Sequence, residues 1–235
     1  MPMDARELAA SIDQTLLKPT VGERAAREWM LLQRDAGFAS LCVSPFLVPT
    51  AAEVLAGTAT KVCTVIAFPL GYAVSASKAE EARRLVGLGA VEIDMVMNVA
   101  AALEGSWEYV REDIAQVVAA TRQASGGDAI VKVILECAYL GGAAVVTPAC
   151  RAAVEAGADF VKTSTGFGPH GATLDDVQTM RAAVGPSIGV KAAGGIRTLE
   201  DALAMLDAGA SRIGASAGLE IVAEFVRLGS REQRA

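Results

Sequence analysis

The chain has 235 residues, 52% of them hydrophobic and only 5% aromatic, with 27 acidic against 21 basic side chains and a net charge of −6. That length and apolar fraction support a large core, and apolar residues that are mostly Ala, Val, Leu and Ile suit helices around buried β-branched strands better than an aromatic-rich sandwich. The acidic balance, with no basic run longer than a pair, argues against a nucleic-acid surface. A small phosphorylated ligand remains compatible, because it needs only one local anion site.

The first residues carry charge at Asp4, Arg6 and Glu7, so no secretory leader is expected. The longest apolar stretch, Val62–Ala76, is broken by Pro69 and Gly71 and does not read as a membrane span. Cys42, Cys63, Cys137 and Cys150 lack C-x-x-C spacing and the density of a secreted scaffold, so reduced, mostly buried thiols in a cytoplasmic protein are expected.

A short helix is expected at the N-terminus, ahead of a first strand at Ser11–Thr15. A helical run at Val21–Ala36 leads to a strand at Leu41–Pro45, and a third strand is read at Val62–Phe68. The run Lys78–Leu88, with Ser77 as its cap, precedes the strand Val91–Met97. Trp107–Ala124 precedes Ile130–Glu136, and Pro148–Ala156, with proline at the first helical position, precedes Phe160–Thr165. Thr173–Val184 and Leu199–Ala208 carry Asp175, Asp176, Glu200 and Asp201 in their first turns, where the helix dipole favours acids. They are followed by the strands Gly189–Gly194 and Arg212–Ser216.

One joint recurs. Ala36-Gly37, Leu88-Gly89, Ala156-Gly157 and Ala208-Gly209 each end an amphipathic run at glycine, the expected helix C-cap, a few residues before a strand. Eight strands alternating with helices predict an α/β fold, a closed (β/α)8 barrel of the TIM type, formed as one domain over residues 1–235. The rival, an open doubly wound sheet, lacks a dinucleotide-type glycine fingerprint after any strand.

In such a barrel the active site lies at the C-terminal ends of the strands. Lys162 and Lys191 sit inside apolar strands there, where an ammonium is costly without a partner or loss of its proton. A lysine amine attacks a carbonyl only when unprotonated, and a second ammonium on the neighbouring strand disfavours the charged form of the first. Asp94 is placed to reach across the barrel and move protons, with Asp13 a second carboxylate for the same network. Burial alone leaves two readings of Lys162 open: a catalytic amine, or the counter-ion of a buried carboxylate such as Asp94 or Glu136. Lys132, near the start of its strand, is expected to stabilise the bottom face, and Cys42 to be a core thiol with no histidine to activate it. The single histidine, His170, excludes multi-histidine metal sites and a catalytic triad. Three glycine-bearing turns, Thr165–Gly168, Gly194–Ile196 and Gly214–Gly218, follow the last three strands and suit a phosphate group.

Taken together, the stretches Ile12–Pro19, Leu41–Pro45, Glu92–Asn98, Lys132–Glu136, Val161–Phe167, Lys191–Thr198 and Arg212–Ser216 resemble the deoxyribose-phosphate aldolase family over almost the whole chain. The resemblance implies that Lys162 is the Schiff-base lysine, that Lys191 lowers its pKa, and that Asp94 relays protons through water. It also implies substrate contacts among Asp13, Thr15, Cys42, Thr165, Gly166, Gly194, Gly195, Gly214 and Ser216. The implied reaction is reversible cleavage of 2-deoxy-D-ribose 5-phosphate to acetaldehyde and D-glyceraldehyde 3-phosphate, in deoxynucleoside catabolism. No metal or organic cofactor, a small phosphorylated sugar and short aldehydes as partners, no nucleic acid or membrane, and a homodimer are expected with it. Three positions depart from the family pattern. Gln14 stands where many members carry histidine, Ser44 where many carry asparagine, and the tail after Arg227 lacks the tyrosine with which some members end.

Overall fold

A computed structural model describes residues 3–232 and turns this alternation into eight parallel strands, hydrogen-bonded in sequence order, with the last pairing back onto the first. Helix α1 (Ala5–Ala10) precedes β1 (Ile12–Leu16), and α2 (Glu23–Gln33) leads to β2 (Ser40–Val43). A 3₁₀ turn at Pro45–Leu47 runs into α3 (Val48–Val54), followed by β3 (Lys61–Ile66), α4 (Ser75–Gly87) and β4 (Glu92–Val96). Then come α5 (Val99–Leu103), α6 (Trp107–Ser125), β5 (Ile130–Ile134), α7 (Cys137–Leu140), α8 (Ala143–Glu155) and β6 (Phe160–Lys162). The circuit closes through α9 (Leu174–Val184), β7 (Gly189–Ala193), α10 (Leu199–Asp207), β8 (Arg212–Ala215) and α11 (Gly218–Glu232). The last residues of the tyrosine-free tail, 233–235, lie outside the described residues.

Local chemistry sets the joints. The helix termini at Leu88 and Ala208 are followed by Gly89 (φ 108°) and Gly209 (φ 112°), both in the left-handed region. A Cβ there would also lie 2.7 Å from the Ala52 Cβ and 2.8 Å from the Arg181 Cγ, so glycine serves conformation and packing at once. The expected start of α8 is displaced. Gly142 (φ 106°) opens a turn whose carbonyl takes the Val145 and Val146 amides, and Pro148 lies one turn inside the helix rather than at its first position. Ser77 likewise lies within α4, because the Val74 carbonyl already accepts from the Ser77 and Lys78 amides. Strand β6 stops at Lys162, short of Thr165, whose amide bonds the Glu136 carboxylate instead of a neighbouring strand.

The large aliphatic core lies between barrel and helices. Leu41, Ile93, Met95, Val131, Val133, Val161, Val190 and Ile213 are fully buried against helix residues such as Met30, Ile114, Val117 and Met180. Inside the barrel the apolar cluster is small: Cys42, Cys63 and Val65, with Leu17 and Phe68 packed on it. All four cysteines are free and buried. Charged side chains fill much of the remaining interior, alongside Ser40, Ile134 and Phe160, where layers of branched aliphatic residues are usual for this fold. Among the described residues, no helix is long and apolar enough to cross a membrane.

Candidate active site

Strand alternation sends every second side chain into the barrel, and among these are seven charged groups: Asp13, Glu92, Asp94, Lys132, Lys162, Lys191 and Arg212. Lys162 and Lys191 stand directly opposite one another in the β6–β7 ladder. Both ammoniums lie 2.7 Å from the same oxygen, Oδ2 of Asp94, which bounds their separation at about 5.4 Å. Oδ1 of Asp94 accepts from Lys132 at 2.8 Å. Asp94 is therefore the hub of three lysines drawn from three consecutive strands.

Below it lies a second carboxylate layer. Asp13 meets Lys191 at 2.5 Å, Arg212 at 2.5 Å and Lys132 at 3.4 Å, while Glu92 meets Lys132 at 2.6 Å and Arg212 at 3.3 Å. Lys132 accordingly does not act only at the bottom face, as its strand position suggested. Its four-carbon stem carries the charge upward to Asp94 and beside the Cys63 sulfur at 3.2 Å. Two groups of possible metal ligands, Cys42/Cys63/Asp94 and Asp13/Cys63/Glu92, have their ligand atoms within 4.8 Å. Their carboxylates are already engaged by ammonium or guanidinium groups, which a dication would have to displace.

The three lysines are not equivalent. Burial opposes the charge on Lys191, but Asp13 and Asp94 outweigh it and raise its pKa well above the ordinary lysine range. Lys132 is raised in the same way, chiefly by Asp13 and Asp94 against burial. These two are fixed cations, each fully buried. Lys162 has one carboxylate partner, Asp94, and is the only lysine of the three that lines the pocket. Burial also disfavours ionised Asp94 and Asp13, yet Lys132 with Lys162 and Lys191 for the first, and Lys132, Lys191 and Arg212 for the second, hold both well below the carboxylate range.

The linkage has a definite sign. Asp13 and Asp94 are depressed in the fold, so their contribution to stability is present above the unfolded value, about 3.9, and is lost as pH falls through the folded values. Lys132 and Lys191 are raised, so theirs is complete below about 10.4 and is lost only as pH rises through the folded values. The urea midpoint should therefore stay level from about pH 5 to 9 and drop below about pH 4. A decline already between about pH 5 and 7 would mean that the carboxylates are not held ionised by this cluster.

Above the charges opens a cavity of about 200 Å³. Thr15, Lys162, Thr165, Gly166, Gly194, Gly195, Gly214 and Ser216, all expected at the site, line it together. Leu17, Ala193, Ile196, Arg197 and Ala215 line it as well. Arg197 entered the sequence reading only within the stretch Lys191–Thr198, although a cation after Gly194-Gly195 is a signal for an anion. Asp13 and Cys42 are fully buried and off the cavity wall, Asp13 clamping cations and Cys42 packing on Cys63. Asp94 and Lys191 are also buried beneath the cavity rather than lining it. Gly214 makes room for the lysine pair, since a Cβ there would lie 2.9 Å from the Ala193 Cβ and 3.1 Å from the Lys191 Cε. His170 is exposed in its loop. Gln14 donates to Gln33 at 3.0 Å and accepts from the Gly218 amide at 2.9 Å, tying the start of α11 to β1. Ser44 lies off the cavity wall, its carbonyl accepting from the Leu47 amide.

Comparison with known proteins gives this geometry a lineage. A family model described as DeoC/LacD family aldolase matches residues 2–224. The chain is 50% identical over 222 residues to a deoxyribose-phosphate aldolase of Caldanaerobacter subterraneus subsp. tengcongensis, covering 94% of this chain and 95% of that one. It is 51% identical over 211 residues to a deoxyribose-phosphate aldolase of Streptococcus mutans, covering 90% and 93%. The solved deoxyribose phosphate aldolase of Aeropyrum pernix, described as a unique tetramer, superposes with a TM-score of 0.87 at 32% identity, covering 96% and 93%.

Proposed function

The chain belongs to the DeoC/LacD aldolase family, and from that premise we propose that it cleaves 2-deoxy-D-ribose 5-phosphate reversibly to acetaldehyde and D-glyceraldehyde 3-phosphate through an imine on Lys162. The observation that carries the assignment of the amine is the inequality of the three lysines. Lys132 and Lys191 are each clamped by at least two carboxylates, whereas Lys162 has one partner and faces the cavity.

In this reading the Lys162 amine adds to C1 of the open-chain sugar and water leaves, giving an iminium. Its positive nitrogen draws in the electrons of the C2–C3 bond as a base removes the C3 hydroxyl proton, and glyceraldehyde 3-phosphate departs. The remaining enamine is protonated at C2 and the imine is hydrolysed, releasing acetaldehyde and the free amine. Asp94, 2.7 Å from the Lys162 Nζ, is placed to move protons through a water. Lys191, held cationic, supplies a fixed positive charge beside the amine that must become neutral. The backbone at Gly166, Gly194 and Gly195, together with Arg197, suits the 5-phosphate. Deoxynucleoside catabolism in the cytoplasm, by a homodimer, completes the proposal. Sedimentation decides the oligomer, since the tetramer is described for the Aeropyrum pernix protein.

Borohydride reduction in the presence of acetaldehyde tests the covalent step. One two-carbon adduct should form, and peptide mapping should place it on Lys162. An adduct on Lys191 or Lys132, or none at all in active enzyme, would overturn the assignment.

A further inference from the structure

Glu136 is the odd carboxylate of this barrel. Asp13, Glu92, Asp94 and Asp113 are buried and each meets a cation within 4 Å, but among the described residues no salt bridge reaches Glu136, which is 2% exposed. Burying a carboxyl group without a counter-charge is expensive unless hydrogen bonds satisfy it. Its backbone is also unusual. Glu136 adopts φ 54°, ψ 60°, the left-handed region that a residue with a side chain rarely enters.

Both oddities point one way, toward the loop after β6. The Glu136 carboxylate accepts from the Thr165 hydroxyl and from the Thr165 amide, the latter at 3.2 Å. The Thr165 hydroxyl oxygen accepts the Phe167 amide at 3.0 Å. The Phe167 ring in turn meets Phe68 edge to face at 5.3 Å, bridging to the loop after β3. Gly168 passes directly over the carboxylate, where a Cβ would lie 3.0 Å from Oε1. The loop Thr165–Gly168 is thus folded around one buried carboxylate, and its first two residues are cavity wall.

We infer that Glu136 is a positioning residue: it sets the Thr165–Gly166 backbone at the anion end of the cavity, and so fixes affinity for the substrate phosphate without taking part in the bond-breaking step. This deepens the proposed function and rests on it for the substrate. Glu136 touches neither Lys162 nor Asp94 through any hydrogen bond, so the chemical step does not pass through it. The carboxylate instead spends its acceptors on one loop residue, holding a shape that a dianion then uses.

The test compares wild type, Glu136→Ala, Glu136→Gln and Thr165→Val, each first checked for a native thermal transition. Thr165→Val keeps the amide and removes the hydroxyl, and it serves if the glutamate variants do not fold. KM and kcat are measured on 2-deoxy-D-ribose 5-phosphate and on unphosphorylated 2-deoxy-D-ribose, and inorganic phosphate binding is measured by calorimetry. Loss of the hydrogen bonds that hold the Thr165 loop predicts that Glu136→Ala raises KM for the phosphorylated sugar and Kd for phosphate about tenfold or more. Glu136→Gln and Thr165→Val should fall between it and wild type. For the Glu136 variants, efficiency on the unphosphorylated sugar and borohydride labelling of Lys162 should stay within about twofold, because positioning acts on uniform binding. Equal losses on both sugars, or unchanged phosphate affinity in folded variants, would overturn the inference while leaving the imine on Lys162 standing. Failure of the wild type to label Lys162 would instead sink the proposed function, with phosphate affinity still deciding the role of Glu136.

Discussion

Arginine in place of Lys162 is expected to abolish cleavage while leaving the barrel folded. Arginine keeps a positive charge beside Asp94, so the hub loses little electrostatic support, but a guanidinium cannot form the imine. The loss should be on the order of 10⁴-fold or more in kcat, as for removal of a covalent nucleophile, with no adduct under borohydride. The companion variants separate the two lysines. Lys191→Met removes a fixed cation rather than the nucleophile, so cleavage should fall by about 10²–10³-fold, the scale for losing one preorganised electrostatic group. Labelling of Lys162 should persist at a reduced rate, and Lys191→Arg should recover part of the activity because it restores the charge. A Lys162→Arg enzyme that still cleaved the sugar, or a Lys191→Met enzyme as inactive as Lys162→Arg and unlabelled, would reverse the division of labour.

That division was only half legible in the sequence. Two lysines at the C-terminal ends of neighbouring strands, glycine turns after strands six to eight, and an aspartate on an earlier strand identify the site, because strand periodicity and the barrel rule are both local. What the sequence left open was pairing across the barrel. Asp13 on β1 meets Lys132 on β5, and Glu92 on β4 meets Arg212 on β8, contacts between opposite walls that depend on the tilt and stagger of the whole barrel. The burial argument that singled out Lys162 applies equally to Lys132, which is also a strand lysine among aliphatic neighbours. Its place early in the strand hid the reach of a side chain long enough to climb one layer. Helix starts failed for a smaller reason, since Gly142 and the Val74 carbonyl satisfied backbone groups ahead of the expected caps.

Lys132→Met should be among the most destabilising single changes in the interior. Its ammonium is shared by Glu92 at 2.6 Å, Asp94 at 2.8 Å and Asp13 at 3.4 Å, and all four groups are shielded from water. Removing one partner from a buried ionic network strands the remaining charge, at a cost of about 3–5 kcal/mol. Arg212 still reaches Glu92 and Asp13, and Lys162 and Lys191 still reach Asp94, so the cost belongs at the lower end of that range. Urea unfolding at neutral pH measures it directly. Pairing the change with Glu92→Gln removes a carboxylate together with its cation, and should return part of the loss as a positive coupling in a double-mutant cycle. A loss under about 1 kcal/mol would show water or relaxation compensating the stranded charge. Activity should fall in parallel, because the Asp94 Oδ1 would lose its ammonium donor and keep only the Cys63 thiol at 3.4 Å, while Oδ2 faces Lys162. The same lysine then both holds the interior together and aims the carboxylate that the proposed mechanism pairs with Lys162.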